Sequence, residues 1–309
     1  MSTTDRYIIR KTGQPFTSGY RVYIEKDNEI ISPWHDIPLY NDEQKGILNM
    51  IVEIPRWSNA KMEISKDEFL SPIKQDIKKG RPRYVPNIFP HKGYPWNYGA
   101  FPQTWEDPSI EDPHTHANGD NDPLDVCELG GYVGETGEVK PVKVLGAFAI
   151  LDEGETDWKV LVVDVRDALA AKVNDIGDVE AYMPGFLEMM KWWFRMYKVP
   201  DGKKENELAS EGNIFGRDFA MELIKDCHKS WKAMMNEERP EHTSSSLSDL
   251  GIRGSEILGE TYNEKGADPD KTAIDKSYFF PASLTRVPDG RGTTSIVEIP
   301  APAPMPVQT

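Results

Sequence analysis

Cysteine is almost missing from this sequence. The two that occur among 309 residues, Cys127 and Cys227, stand far apart and in no Cys-x-x-Cys pair. That supports neither a disulfide framework nor a zinc ribbon and makes the cytosol the expected address. Long apolar runs are missing as well, since no stretch approaches the roughly 20 residues that a membrane-spanning helix needs. Met1 to Arg10 carries no apolar run behind a basic patch, so neither a secretory signal nor a transit peptide is expected. Positive charge is scarce, with 36 Lys and Arg against 51 Asp and Glu and a net charge of −15. Such a chain repels phosphate backbones, which counts against nucleic acid or an anionic membrane as partner and suits a protein that gathers cations. The motifs G-x-x-x-x-G-K-[ST], G-x-G-x-x-G and G-x-S-x-G are absent too, which disfavours P-loop and covalent chemistry.

What is present describes a globular protein with a sizeable core, 38% of its residues being hydrophobic and 28% charged. Tyr20 to Glu25, Ile47 to Ile54, Val142 to Leu151 and Trp158 to Val165 are rich in β-branched and apolar residues and predict strands. The last two are joined by the polar, Gly-containing stretch from Asp152 to Asp157, which reads as a hairpin loop. Ser71 to Pro113 holds too many Pro and Gly for regular structure, and a loop of that length in a compact domain is usually functional. Gly185 to Lys198 and Arg217 to Met235 place apolar residues at helical spacing. Strands first and helices later predict an α+β, mainly β domain, a closed sheet flanked by helices, over residues 1–235. Residues 236–309, rich in Ser, Thr, Pro and Gly, predict a mostly extended tail of low complexity. Ile274 to Phe280, with three adjacent aromatics, is the one patch within it suited to docking back on the body.

The strongest chemical signal is Asp120-x-Asp122-Pro-x-Asp125, three carboxylates within six residues. Carboxylates this close repel and raise one another's pKa, so a protein that keeps them usually supplies a counter-charge. The alternative is a solvated acidic turn; an EF-hand is excluded, because Pro123 and Leu124 break its ligand pattern. Asp152 and Asp157 bracket the hairpin loop, and Lys159, two positions on, faces the same side as Asp157 if the strand has begun there. Lys61 and Glu63 also share a strand face, with Glu53 nearby in sequence. Lys78 to Arg83 and His91 to Tyr98 supply cations and phenols suited to phosphate oxygens, and Tyr197 and Lys198 close a helix. Every candidate ligand is an oxygen donor, which selects Mg²⁺ or Mn²⁺ over Zn²⁺. His114 and His116 lack a third ligand at zinc spacing.

With these residues in view, Asp120-x-Asp122-Pro-x-Asp125 resembles the signature of soluble family I inorganic pyrophosphatases. His35 to Tyr40, Val52 to Trp57, Asn97 to Pro108 and Asp152 to Lys159 are similar to the eukaryotic, fungal-type branch in order and spacing, so the resemblance runs from about Tyr20 to Trp231. It implies a five-stranded closed barrel of OB type, a homodimer with Arg56 and Trp57 at the interface, and hydrolysis of pyrophosphate to two phosphates using several Mg²⁺ ions, with Mn²⁺ as a substitute. Asp120, Asp125, Asp152 and Asp157 become metal ligands by this resemblance, with Glu63 and Glu53 nearby. Asp122 becomes the acceptor of the attacking water's proton. Lys61, Arg83, Tyr98, Lys159, Tyr197 and Lys198 then hold pyrophosphate and the departing phosphate. The seven carboxylates against four cations leave this set at −3, so metals are expected to reverse its sign before an anion binds, and no phosphoenzyme is needed. A multi-metal phosphatase or nucleotide hydrolase, an OB-type nucleic-acid module and a Ca²⁺-binding structural protein are the competing readings.

Overall fold

The computed structural model describes residues 7–237, 245–246, 269–281, 286–288 and 294–296. It is mainly β with few helices. Ile47–Ile54 pairs antiparallel with Asn97–Ala100 and with Val139–Asp152. Asn97–Ala100 pairs antiparallel with Asp125–Glu128, which runs parallel to Glu155–Asp164. Glu155–Asp164 in turn pairs antiparallel with Val139–Asp152, so the ladder of five strands returns to where it began. A second sheet, built on Arg21–Lys26 and reaching Ile73–Gln75 and Met62–Ile64, carries Glu63 beside it.

Strand Glu155–Asp164 shows why this sequence folds so. It is buried on both faces, and its alternate residues serve different packing groups. Val160 and Val162 join the group containing Ala220 and Ile224 of the helix Arg217–Glu237. Leu161 and Val163 join the group containing Met190, Trp193 and Phe194 of the helix Phe186–Met196. Each such side chain stabilises the fold by about 1.5–3 kcal/mol. The helix Ile176–Tyr182, too short to announce itself by periodicity, is held by a capping box between Asp175 and Asp178.

Several boundaries differ from the sequence expectation. The hairpin tip is only Glu153 and Gly154, both with positive φ (54° and 96°), while Asp152 and Glu155 are already paired across the strands. Thr156 and Asp157 therefore belong to the strand; they are polar yet buried, which hides them from any hydrophobic pattern. The region from Ser71 to Pro113 contains five short strands, among them Asn97–Ala100 of the five-strand ladder. That strand depends on Gly99, because a Cβ there would lie 1.8 Å from the Ile51 carbonyl oxygen. The helix Arg217–Glu237 runs past the expected boundary at 235. Most of the expected tail lies outside the described residues, but within it Pro269–Lys276 is helical and Tyr278–Phe279 pairs in parallel with Asn87–Ile88. No described helix is long and apolar enough to cross a membrane.

Candidate functional site

The five-strand ladder brings distant carboxylates together. The parallel register sets Asp125 opposite Lys159, and Lys159 shares its strand face with Asp157. The Lys159 Nζ contacts both carboxylates and lies 3.1 Å from the Tyr98 hydroxyl, which itself donates to Asp125. Asp152, at the end of its strand, accepts from Lys198 Nζ and, at 3.2 Å, from the Tyr197 hydroxyl. Lys61 Nζ meets Glu63 Oε2 at 2.8 Å, and the Glu53 carboxylate is fixed by the Ile64 amide at 2.7 Å. Arg83 reaches Asp76 through Nη1 at 3.0 Å, while its buried Nε finds no hydrogen-bond partner. Asp122 pairs with Lys66 at 2.5 Å. The thirteen residues that the resemblance implies as metal ligands, proton acceptor and phosphate-holding groups, from Glu53 to Lys198, line one cavity of about 400 Å³.

Burial sets the electrostatics. It pushes the carboxyls of Glu53 and Asp157 well above the usual range, with Asp125 adding repulsion in each case. Asp120 is raised to about 7, first by burial and then by Asp122 and Asp125. Burial opposes charge on Lys159, but Asp125 and Asp157 outweigh it and hold the ammonium form. Asp152 goes the other way, because desolvation is outweighed by the hydrogen bond and charge of Lys198 together with the charge of Lys159 and the Tyr197 bond.

One residue of the site escaped the sequence reading. Glu106 is 5% exposed, and its carboxylate lies with those of Asp120 and Asp157 such that ligand oxygens of all three fall within 4.8 Å of one another. Oε1 accepts from the Trp158 amide at 3.2 Å, but the buried Oε2 has no partner. Its carboxyl is raised well above normal by burial and then by Asp120. Local sequence shows only a Trp-Glu-Asp-Pro turn. The carboxylate reaches the cluster because Gly119 lets the two loops touch: a Cβ on Gly119 would sit 2.5 Å from the Glu106 backbone, the Glu106 amide donates to the Asp122 carbonyl at 2.9 Å, and the Asn121 amide donates to the Glu106 carbonyl at 2.9 Å. Crowded, mutually repelling oxygen donors with an unsatisfied lone pair suit a hard divalent cation. The histidines stay out of it, His114 packing on Trp158 and Phe219 and His116 lying beside Glu111 at the surface.

Known proteins are similar to this chain along most of its length. Residues 50–232 match the family model described as inorganic pyrophosphatase. A protein of that name from Emericella nidulans is 61% identical over 230 residues, covering 74% of this chain and 80% of its own. One from Yarrowia lipolytica is 50% identical over 299 residues, 97% of this chain and 94% of that protein. The solved inorganic pyrophosphatase from Schistosoma japonicum superposes with a TM-score of 0.77 at 42% identity, covering 89% of this chain and all of that one. With a family model matched over more than half its length and relatives this similar along most of it, the chain belongs to the inorganic pyrophosphatase family.

Proposed function

We propose that this diphosphatase hydrolyses inorganic pyrophosphate to two orthophosphates, using several Mg²⁺ ions that Mn²⁺ can replace, by direct attack of water on phosphorus without a phosphoenzyme. The observation that carries the reading is the crowd of carboxylates lining one cavity together with Lys61, Arg83, Lys159 and Lys198, with Glu106 joining Asp120 and Asp157 beside it. Asp120, Asp125, Asp152 and Asp157, with Glu53, Glu63 and now Glu106, would hold the ions. When bound, such ions supply neutralisation of both attacking and leaving oxygens and lower the proton affinity of water. The chain's own groups do the rest. Lys66 engages one oxygen of Asp122, and the carboxylate's other oxygen takes the proton of the attacking water. Arg83, with an unpartnered Nε, and Lys61 grip phosphate oxygens at one end of the cavity. Lys159, Tyr98, Tyr197 and Lys198 orient the other phosphate, and the bond of Lys159 to Tyr98 and those of Tyr197 and Lys198 to Asp152 fix them before substrate arrives.

The cyclic strand pairing supports reading the ladder as a five-stranded OB-type barrel with the cavity at its mouth. A homodimer in the cytosol completes the proposal. Trp57 is 54% exposed, with the Arg56 guanidinium 5.9 Å from its ring, the kind of anchor that interfaces favour. The test is phosphate release from pyrophosphate with and without Mg²⁺, beside ATP and a phosphomonoester. Metal-independent turnover, or a preference for either organic phosphate, overturns the proposal.

A further inference from the structure

The segment from Arg83 to Tyr94 links two residues of the cavity wall, yet Pro86 and Pro90 deprive it of two backbone donors. One buried carboxamide makes up the deficit. Asn87 is 1% exposed and uses both ends of its side chain. Its Oδ1 accepts from Asn59 Nδ2 at 2.7 Å and from the Gly93 amide at 2.9 Å. Those contacts lie two residues from Lys61 and one from Tyr94. Its Nδ2 donates outward, to the carbonyls of Ile274 at 2.7 Å and Ser277 at 3.0 Å. The same stretch of distant chain adds the parallel pairing of residues 278–279, a bond from the Phe89 amide to Phe279 O at 2.9 Å, and an ion pair between Lys92 and Asp275 at 3.5 Å.

We propose that Asn87 is a positioning residue, through which the segment 274–279 clasps the loop bearing Arg83 and Tyr94 and keeps the phosphate-gripping groups in place. The proposal rests on reading the cavity as the pyrophosphate site. Without the clasp, Asn87 Nδ2 loses both of its acceptors and turns to water or another partner, so the carboxamide no longer fixes the loop in one place. The displacement passes to Lys61 through Asn59 and to Tyr94 through Gly93, and a shift of about 1 Å in a gripping group can cost up to about a hundredfold in kcat/KM.

Asn87→Asp separates the two ends of the side chain, since it keeps both acceptor contacts and turns an oxygen on the carbonyls of Ile274 and Ser277. It is compared with removal of residues 269–309, with both changes together, and with removal of 285–309 as control. The expected result is a KM for pyrophosphate raised about tenfold or more by either change, with kcat held within about threefold, because gripping rather than chemistry is lost. The two changes together should do no more than one, since each removes the same contact. Amide exchange at Gly93 and Tyr94 should quicken in both variants, and the control should match the full chain. A normal KM in Asn87→Asp, a kcat loss at unchanged KM, or fully additive effects overturns the proposal, and Asn87→Asp decides alone if the shortened chain does not fold. Absence of pyrophosphate turnover in the full chain would instead sink the reading of the cavity, while amide exchange would still judge the clasp.

Discussion

Replacing Arg83 by lysine tests the phosphate grip while keeping the charge. The guanidinium already spends one arm on Asp76, at 3.0 Å, and has a buried Nε with no protein partner. Arginine can serve both because its donors are spread over a planar fork; lysine is a single point charge on a flexible stem. With Asp76 in place, the new ammonium is drawn to that carboxylate and cannot also reproduce the second contact. The loss is one charge-assisted hydrogen bond to substrate, about 1.5–3 kcal/mol. At about 1.4 kcal/mol per factor of ten, kcat/KM should fall by roughly 10-fold to 150-fold. The assay is initial phosphate release against pyrophosphate concentration at saturating Mg²⁺, with a thermal melt to show that the fold is intact. Wild-type kcat/KM in a folded Arg83→Lys protein would show that the guanidinium serves only to hold Asp76.

Asp122→Asn should lower turnover by orders of magnitude near neutral pH with the fold intact, because an amide cannot accept the proton; near-normal rates would remove Asp122 from its role. Glu106→Gln should weaken Mg²⁺ binding by roughly 10-fold or more, read by titration calorimetry, since it removes a charge from the three-carboxylate cluster; unchanged affinity would leave Glu106 a structural acid. Sedimentation at micromolar protein should find a dimer that Trp57→Ala weakens, and a monomeric parent chain refutes the assignment of that face. Ca²⁺ should compete with Mg²⁺ without supporting hydrolysis, because it accepts irregular, larger coordination and polarises water less. Comparable turnover with Ca²⁺ alone would rule out activation of water by the metal.

Much of the site is readable locally. Asp120, Asp122 and Asp125 crowd one turn, Lys61 and Glu63 share a strand face, and Tyr197 and Lys198 follow one another, so their grouping needs only the spacing of a known backbone. The oxygen-only ligand chemistry and the excess of negative charge are properties of composition and need no fold at all. Other features exist only across the chain. Asp157 reads as a loop residue until the register pairs Asp152 with Glu155 and shows the strand beginning earlier. Asn97–Ala100 is too short and too polar to look like a strand, and it exists because Gly99 lets two backbones close on each other. Glu106 is an ordinary acidic turn residue until Gly119 brings its loop against Asn121, and burial beside Asp120 and Asp157 then raises its carboxyl well above the usual range. The clasp of 274–279 on Asn87 joins residues nearly two hundred apart through backbone carbonyls, which no side-chain pattern encodes. The sequence by itself determined the chemistry, because charge, donor type and short-range spacing are local; tertiary structure alone decided which distant groups lose water together, because burial is a property of the packed whole.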